Sequence, residues 1–585
     1  MRLQVVKSKN AASLYVVKSI YTDGKRTSKV VEKLGTYDSL LQNLNGQDPI
    51  EWANEYIAEL NRKEKEQTRE ILIKYSPTKT IPKNEQRFFN GGYLFLQNIY
   101  HGLGLDRICK QITGNHKFEY DLNSVLSRLA FSRIIYPSSK LATYQLSKRF
   151  IEQPNFELQH IYRSLEVIAT ESDMIQAELY KNSLKLSKRN TGVLYYDCTN
   201  YFFEIEQAEG LKQYTKSKDH KPNPAVQMGL FMDGDGIPLA FCITEGNRNE
   251  QLTIRPLEQK IISDFELSKF VVCTDAGLSS NQNRVFNSMG GRAFVTVQSI
   301  KKLKGFLKEW ALDSKGWKLP GSKNLFDISN LDKAADEKGY MNPEEYHNQV
   351  FYKERWIKEN GLKQRLIVTY SLKYREYLRT IRANHITRAK KAIEQGPAKL
   401  SKPRQNDYKR FVAKKNVTAD GDEAKKTILS FDDDLIAKEE IYDGFYGVCT
   451  NLDDNVEEII KINKRRWMIE ESFRIMKNEF KARPVYLRRD DRIKAHFVVC
   501  FISLMIFRFL EKFLQERYTC SEIISGLKEM NFLKAEGEGY IPTYTRTDLT
   551  DDLHEAFGFR TDYQIVTNKQ MKAVLKAAKL KVSIK

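Results

Sequence analysis

The sequence predicts an α/β fold in several parts: a core of short apolar strands, flanked by helical regions and followed by an irregular, lysine-rich stretch. Three observations predict it. A chain of 585 residues is too long for one hydrophobic core and divides into units. From residue 191, short apolar, β-favouring runs appear, and two of them end at an aspartate. Before and after that stretch, over 91–190 and 455–480, apolar residues recur at helical intervals.

In chain order, residues 2–35 alternate like short strands, with a hairpin turn signal at Asp23-Gly24. A charged amphipathic helix is expected at 50–75. The block 91–190 is helical, broken at Pro137-Ser138-Ser139-Lys140, where a serine can cap the next helix. Residues 193–196 form an apolar run ending at Asp197, and 227–231 and 239–243 read as its hairpin partners. These two are joined through Asp233-Gly234-Asp235-Gly236. A helix near 251–262 precedes a second buried strand at 270–274, ending at Asp275, and 293–297 gives one more strand. Residues 301–440 read as irregular and lysine-rich, with a strand at 365–370. Order returns at 446–449 and in one helix from about 455 to 480. The apolar run 497–507 stops at Arg508, too short to span a bilayer, and reads as a buried core helix. The last 65 residues read as helical fragments and a basic tail.

Composition narrows the function. Lysine and arginine number 95 against 75 acids, a surplus of +20 that recurs at Lys301-Lys302, Lys464-Arg465-Arg466 and Arg488-Arg489. Such a surplus favours a polyanion, and nucleic acid is the commonest; a solvated lysine-rich surface is the plain alternative. The seven cysteines never form Cys-x-x-Cys, which argues against structural zinc and a disulfide framework and points to a reducing compartment. The start shows no apolar signal-peptide core. The expected location is the cytoplasm, with no membrane partner.

Two apolar strands each deliver an aspartate, and a later helix offers Arg466, Glu470 and Lys477 at offsets of four and seven, near one helical face. This pattern suits phosphodiester chemistry, because two hard cations about 3.5–4 Å apart need carboxylate oxygens from several directions. Strand-end aspartates are also common turn residues, and Arg-x-x-x-Glu is an ordinary helix-surface pair. Asp233 and Asp235 sit in a hairpin turn and are not taken as ligands. Glu204, Glu206 and the run Asp432-Asp433-Asp434 read as surface.

The segment from Arg466 through Glu470 to Lys477 resembles the signature of bacterial insertion-sequence DDE transposases: Tyr, two residues, Arg, three residues, Glu, six residues, Lys. Asn463 stands at the tyrosine position, which is a departure. Leu194-Tyr195-Tyr196-Asp197-Cys198-Thr199 is similar to the first-aspartate strand and Val271-Val272-Cys273-Thr274-Asp275-Ala276-Gly277 to the second. Gly236-Ile237-Pro238-Leu239, Glu245-Gly246-Asn247 and Asp443-Gly444-Phe445-Tyr446 also match, so the resemblance runs from about 191 to 510.

The resemblance implies a ribonuclease-H-like mixed-sheet core interrupted by a β-rich insertion domain, and a division into 1–48 (β-hairpin region), 49–190 (helical, DNA-end binding), 191–300 (core), 301–450 (insertion), 451–520 (core) and 521–585 (helical, dimerisation). It implies metal-dependent cleavage at transposon ends and strand transfer, by cut-and-paste through a hairpin. Asp197, Asp275 and Glu470 would be catalytic and hold two Mg2+ ions, with Mn2+ able to substitute. Arg466 and Lys477 would contact DNA phosphate. The partners would be double-stranded terminal inverted repeats, target DNA and a second copy of the chain. Trp310, Trp317 and Trp356 are stacking candidates whose plainer role is core packing, as it is for Trp467 and Phe473. His220 is a loop residue that could approach DNA. The rival readings are a ribonuclease-H-like nuclease without strand transfer and a domesticated DNA-binding protein.

Overall fold

A computed structural model describes residues 1–8, 11–22, 25–44, 47–67, 70–73, 75–116, 119–215, 222–395, 407–417 and 426–580. The chain divides into two units, 1–85 with 535–538, and 86–534 with 539–585. In the first, β1 (Arg2–Lys7), β2 (Ala12–Thr22) and β3 (Lys25–Thr36) form an antiparallel sheet in the order of the sequence. The expected turn at Asp23-Gly24 lies outside the described residues. The helices α1 (Tyr37–Asn43) and α2 (Pro49–Gln67) follow, and Leu14, Leu40 and Ala53 form a small core with them. The helix expected over 50–75 is described over Pro49–Gln67, and residues 70–73 are not helical.

The second unit opens with β4 (Phe88–Asn90) and six helices: α3 (Tyr93–Gly102), α4 (Leu105–Asn115), α5 (Leu122–Ile135), α6 (Lys140–Ser147), α7 (Leu158–Thr170) and α8 (Ser172–Leu186). Ser139 caps α6, its side chain accepting from the Ala142 N–H at 3.2 Å. The sheet strands come next: β5 (Val193–Phe202), β6 (Ala225–Asp233), β7 (Pro238–Glu245), then α9 (Ile254–Asp264), β8 (Val271–Thr274), α10 (Asn281–Phe286) and β9 (Ala293–Gln298). The antiparallel pairs β5–β6 and β6–β7 make a meander, while β8 pairs parallel to both β5 and β9.

The segment 301–450 is more ordered than its composition suggests. It contains α11 (Gly305–Leu312), β10 (Trp317–Lys318), β11 (Leu325–Phe326), α12 (Pro343–Tyr346), β12 (Phe351–Glu359), β13 (Leu362–Tyr370) and α13 (Leu372–Glu394). After them come β14 (Val412–Val417), β15 (Lys426–Phe431), α14 (Asp433–Glu440) and β16 (Phe445–Thr450). Among the described residues of this segment, only β14 and β15 form a sheet of their own. The others extend the core, because β16 pairs antiparallel with the otherwise open edge of β9 and then with β13. The result is one ten-stranded sheet, β11-β10-β12-β13-β16-β9-β8-β5-β6-β7.

The glutamate region is not the single helix that periodicity predicts. It is α15 (Val456–Lys464), a turn at Arg465-Arg466, α16 (Trp467–Arg474) and a turn of π-helix over Ile475–Glu479. The following helix, α17 (Asp490–Phe513), is buried on all sides from Phe497 to Phe507. It is long and apolar enough to cross a membrane, but its side chains are spent on α3, α5 and α7 and on the sheet, as a fully apolar core helix requires. The described chain ends in α18 (Cys520–Glu529), α19 (Asp548–Phe557) and α20 (Asn568–Ala577), with short strands between them.

Strand alternation sorts β5 into two faces. Leu194, Tyr196 and Cys198 pack with Ile254, Leu257 and Ile261 of α9. Tyr195 packs on the opposite face with Cys273, Val456 and Ile459, and Tyr201 lies against Phe497 of α17. Gly229 lies opposite Cys198 in the ladder, and a Cβ there would come within 2.2 Å of the Tyr196 hydroxyl. That hydroxyl needs the space because it bonds Thr253 Oγ1 at 2.6 Å.

Candidate active site

The register of the parallel ladder builds the centre of the site. Val193 pairs with Val271, Leu194 with Val272 and Tyr195 with Cys273, a constant offset of 78 positions. Asp197 and Asp275 are separated by the same 78. Carried two residues past its last pair, the ladder sets the two aspartates level on neighbouring strands, whose axes lie about 4.8 Å apart. Both take the parity of Tyr195 and Cys273, so both face the layer formed by α15 and α16. Asp275 lies just beyond the end of β8, as expected. Asp197 does not end its strand: β5 continues to Phe202 along β6, so Asp197 sits in mid-strand where β8 has stopped. It is 8% exposed.

Each carboxylate is braced locally. Asp197 Oδ1 accepts from the Cys198 N–H at 2.7 Å, and Asp275 Oδ1 accepts from the Leu278 N–H at 3.0 Å. The Asp275 carbonyl accepts from Thr296 Oγ1 at 3.3 Å, which ties the end of β8 to β9.

The helical side is pinned at several points. Tyr195 donates its hydroxyl to the Ile462 carbonyl at 2.9 Å, and Arg465 Nη1 donates to the Gly234 carbonyl at 3.2 Å. Gly236, at φ +76°, passes against Met468, whose sulfur would lie 3.1 Å from an added Cβ; the positive φ itself favours glycine. From α17, Arg508 Nη2 donates to Ser472 Oγ at 2.8 Å. Ile469, Ser472 and Phe473 of α16 and Met476 of the π-helical turn form the buried face, which leaves Arg466, Glu470 and Lys477 on its margin. Phe473 packs the helix as expected. Trp467 does not: it is 58% exposed, because the turn at Arg465-Arg466 rotates it out of the packed face.

The electrostatics converge on Arg466. Burial pulls its guanidinium down, but Glu470, the Tyr446 phenol, Asp197 and Asp275 together hold it above its ordinary value. All three acids therefore act on one cation. Glu470 pairs with it directly, at 3.0 Å from Nη1, and its side chain is 56% exposed. The three carboxylates are not gathered within 4.8 Å of one another; Glu470 is turned to Arg466. Lys477 reaches β5 two residues beyond Asp197, donating to Thr199 Oγ1 at 2.6 Å, with its ammonium 5.6 Å from the Tyr201 ring centre.

Sequence reasoning passed over Thr199 and Tyr446 as site members. Tyr446, on β16, lies against Asn463 and within the fields of Arg466 and Asp275; burial pushes its phenol up. It also lines a cavity of about 380 Å³ beside Asp275, shared with Ala276, Lys301, Tyr374 and Tyr442. The motif Asp443-Gly444-Phe445-Tyr446 was the available signal. Of the tryptophans, Trp317 is fully buried and Trp310 partly buried in the same cluster. Trp356 is 41% exposed with the Lys363 ammonium 5.0 Å from its ring, so it is not a core residue. His220 lies outside the described residues. Among the described residues, one further acid–histidine group, Asp551, His554 and Asp562, is closely gathered, but Arg546 and Arg560 already neutralise its acids.

Comparison with known proteins bears on the glutamate half of this site. No curated protein matches the chain. Among solved structures, the cryo-EM structure of the piggyBac transposase synaptic complex with hairpin DNA overlaps 83% of this chain and 84% of that chain. Its identity is 6% and its TM-score 0.34, an overlap too loose to carry a fold assignment. Residues 369–506 match the family model of the transposase DDE domain. It is in this stretch, from the end of β13 into α17 and bearing Arg466, Glu470 and Lys477 but neither aspartate, that the chain is similar to DDE transposases.

Proposed function

We propose that the chain is a DNA transposase of the DDE type, with Asp197, Asp275 and Glu470 as its catalytic acids on a ribonuclease-H-like core. The observation that carries this reading is the level register of Asp197 and Asp275, with Arg466 in the field of both and of Glu470. The strand order supports the core assignment: an antiparallel meander β5-β6-β7, then β8 and β9 added in parallel on the other side of β5. The sequence likeness over 369–506 supports the reaction class.

The donor set fits divalent metal. Two carboxylates on adjacent strands and a third on a facing helix offer hard oxygens only, which suits Mg2+ or Mn2+ rather than zinc. When bound, a pair of such ions supplies activation of the attacking water or 3′-hydroxyl and charge stabilisation at the leaving oxygen. The chain's own residues do the rest. β5 and β8 hold Asp197 and Asp275 in fixed directions. Arg466 and Lys477 hold DNA phosphates without competing for the acids' role as ligands. A phosphate arriving at Arg466 competes for the guanidinium that Glu470 now occupies, which frees Glu470 to turn toward the aspartates.

In this reading, water cleaves one strand at the transposon end, the freed 3′-hydroxyl attacks the opposite strand to give a hairpin, and the reopened end joins target DNA. Pairing two ends takes two copies of the chain, and the bacterial nucleoid is the proposed location. The domain roles expected from the sequence, DNA-end binding by 49–190 and dimerisation through 521–585, belong to this proposal.

Cleavage of terminal-inverted-repeat DNA by Asp197→Ala, Asp275→Ala and Glu470→Gln tests it. All three should bind the DNA and fail to cut; any one that cuts like wild type is wrongly assigned. Insertion of a pre-cleaved end into a plasmid separates a transposase from a nuclease.

A further inference from the structure

A second cationic feature lies away from the three acids. The loop before α6, the first residues of that helix, the segment 481–487 and α17 enclose a cavity of about 460 Å³. Its walls carry Arg133, Lys140, Lys481, Arg483 and His496, and no acid. Lys140 is 6% exposed and Arg133 5%. Arg133 is partly satisfied, donating from Nη1 to the Phe480 carbonyl at 3.1 Å and from Nη2 to the Ser138 carbonyl at 3.3 Å. Lys140 Nζ is buried with no hydrogen-bond partner among the described residues.

A buried ammonium beside a buried guanidinium, with no carboxylate to answer either, is costly. Burial, then Arg133, pull Lys140 down to about 7. Burial, then Arg133 and Lys140, hold His496 well below its usual range. The cavity thus gathers cationic side chains with no acid in its walls, and the first turn of α6 beside it adds the positive end of a helix dipole. Its cationic lining suits an anion, and its volume leaves room for a phosphate together with the group that carries it.

We propose that this cavity is a phosphate-binding site, with Lys140 and Arg133 as its buried donors and Arg483 at its mouth. The phosphate that fits the geometry best is one carried by DNA held at the three acids, an assignment that rests on the transposase reading. The cavity shares its supports with that site: Arg483 lies over the ring of Phe202 at 5.6 Å, five residues along β5 from Asp197. Five residues of strand span about 17 Å, or about five nucleotides at the roughly 3.4 Å rise of a DNA strand along the helix axis.

The test uses the full chain. Thermal unfolding is followed in inorganic phosphate against chloride at equal ionic strength, for wild type, Lys140→Met and Arg483→Gln. Phosphate should raise the wild-type Tm to saturation, leave Lys140→Met unmoved, and bind Arg483→Gln about tenfold more weakly, as loss of one charge-assisted bond predicts. A wild type that responds no more than to chloride overturns the proposal, as does a Lys140→Met that responds like wild type. Should Lys140→Met not fold, Arg483→Gln carries the comparison alone, and an unchanged phosphate affinity overturns the proposal.

A second arm measures whether inorganic phosphate competes with a 5′-phosphorylated duplex bearing a transposon end. Competition assigns the site to DNA. Phosphate binding without competition leaves the phosphate site standing and removes the DNA assignment. Neither result depends on whether Asp197→Ala cleaves, so failure of the catalytic reading is seen separately.

Discussion

Replacing Arg466 with glutamine should make the protein bind Mn2+ more tightly and yet cut DNA less well. The two effects come from the two partners the guanidinium serves. Without DNA it pairs with Glu470 at 3.0 Å, as an i,i+4 pair in which the glutamate side chain is 56% exposed. Half-exposed pairs of this geometry are worth about 0.3–1 kcal/mol after screening. Releasing Glu470 from that pair therefore gains about two- to fivefold in Mn2+ affinity, and removing one positive charge from the field of Asp197 and Asp275 adds in the same direction. With DNA bound, the guanidinium instead faces phosphate, where loss of a charge-assisted hydrogen bond costs about 1.5–3 kcal/mol, or about ten- to 150-fold. Mn2+ affinity is read by titration against the ion's paramagnetic signal, and cleavage by single-turnover assay. DNA affinity is read by fluorescence anisotropy over a salt series, where the slope of log K on log[salt] should fall by about 0.9. An Arg466→Gln protein that binds Mn2+ more weakly than wild type would refute the idea that Arg466 withholds Glu470. One that cleaves at the wild-type rate would refute its role on phosphate.

Two further outcomes test how the strands under the site are held. Gly229→Ala places a Cβ 2.2 Å from the Tyr196 hydroxyl and 3.1 Å from Cys242 Sγ, and overpacking of that kind costs about 1–3 kcal/mol. Its midpoint in urea should fall, and a second change, Tyr196→Phe, should recover part of the loss; no loss in the single variant would mean the ring moves freely. Arg189→Met removes the partner of Asp233, a pair in which both side chains are fully buried, and should cost about 3–5 kcal/mol. The loss should depend on pH with a definite sign. Burial already raises the Asp233 carboxyl above 3.8, and without Arg189 it rises further. The folded state then holds a proton that the unfolded state has released. The deficit is therefore small below pH 3.8 and grows as pH rises through the new folded value. A deficit that shrinks between pH 4 and 7 would contradict this.

How much of this was legible in the sequence follows from the distance over which each feature is determined. The apolar runs before Asp197 and Asp275 are local, so they declared themselves, and their spacing of 78 proved to be the register offset of the ladder that joins them. The stripe Arg466, Glu470, Lys477 was visible because it depends on helical spacing within one segment. The turn at Arg465-Arg466 and the π-helical turn at Ile475–Glu479 were not, because apolar periodicity continues across both. What breaks the helix is the anchoring of Arg465 to Gly234 and of α16 to Arg508, partners far away in sequence. The same holds for β16, whose place between β9 and β13 decides that the basic segment after 300 extends the core sheet. A six-residue strand carries no mark of its partner.

Lys140 shows the limit most sharply. Its neighbour Ser139 could be read as a helix cap from local rules alone, and the structure agrees. Nothing local distinguishes Lys140 from any solvated lysine at a helix start. It is the packing of α17, more than 350 positions later, that buries it beside Arg133. Among the chain's 95 basic residues, those placed by a motif and those placed by burial therefore separate into two groups. Arg466 belongs to the first and faces acids. Arg133 and Lys140 belong to the second and face none. A buried cation that faces no acid asks for a ligand in a way the sequence could not express, and the phosphate titration addresses that residue directly.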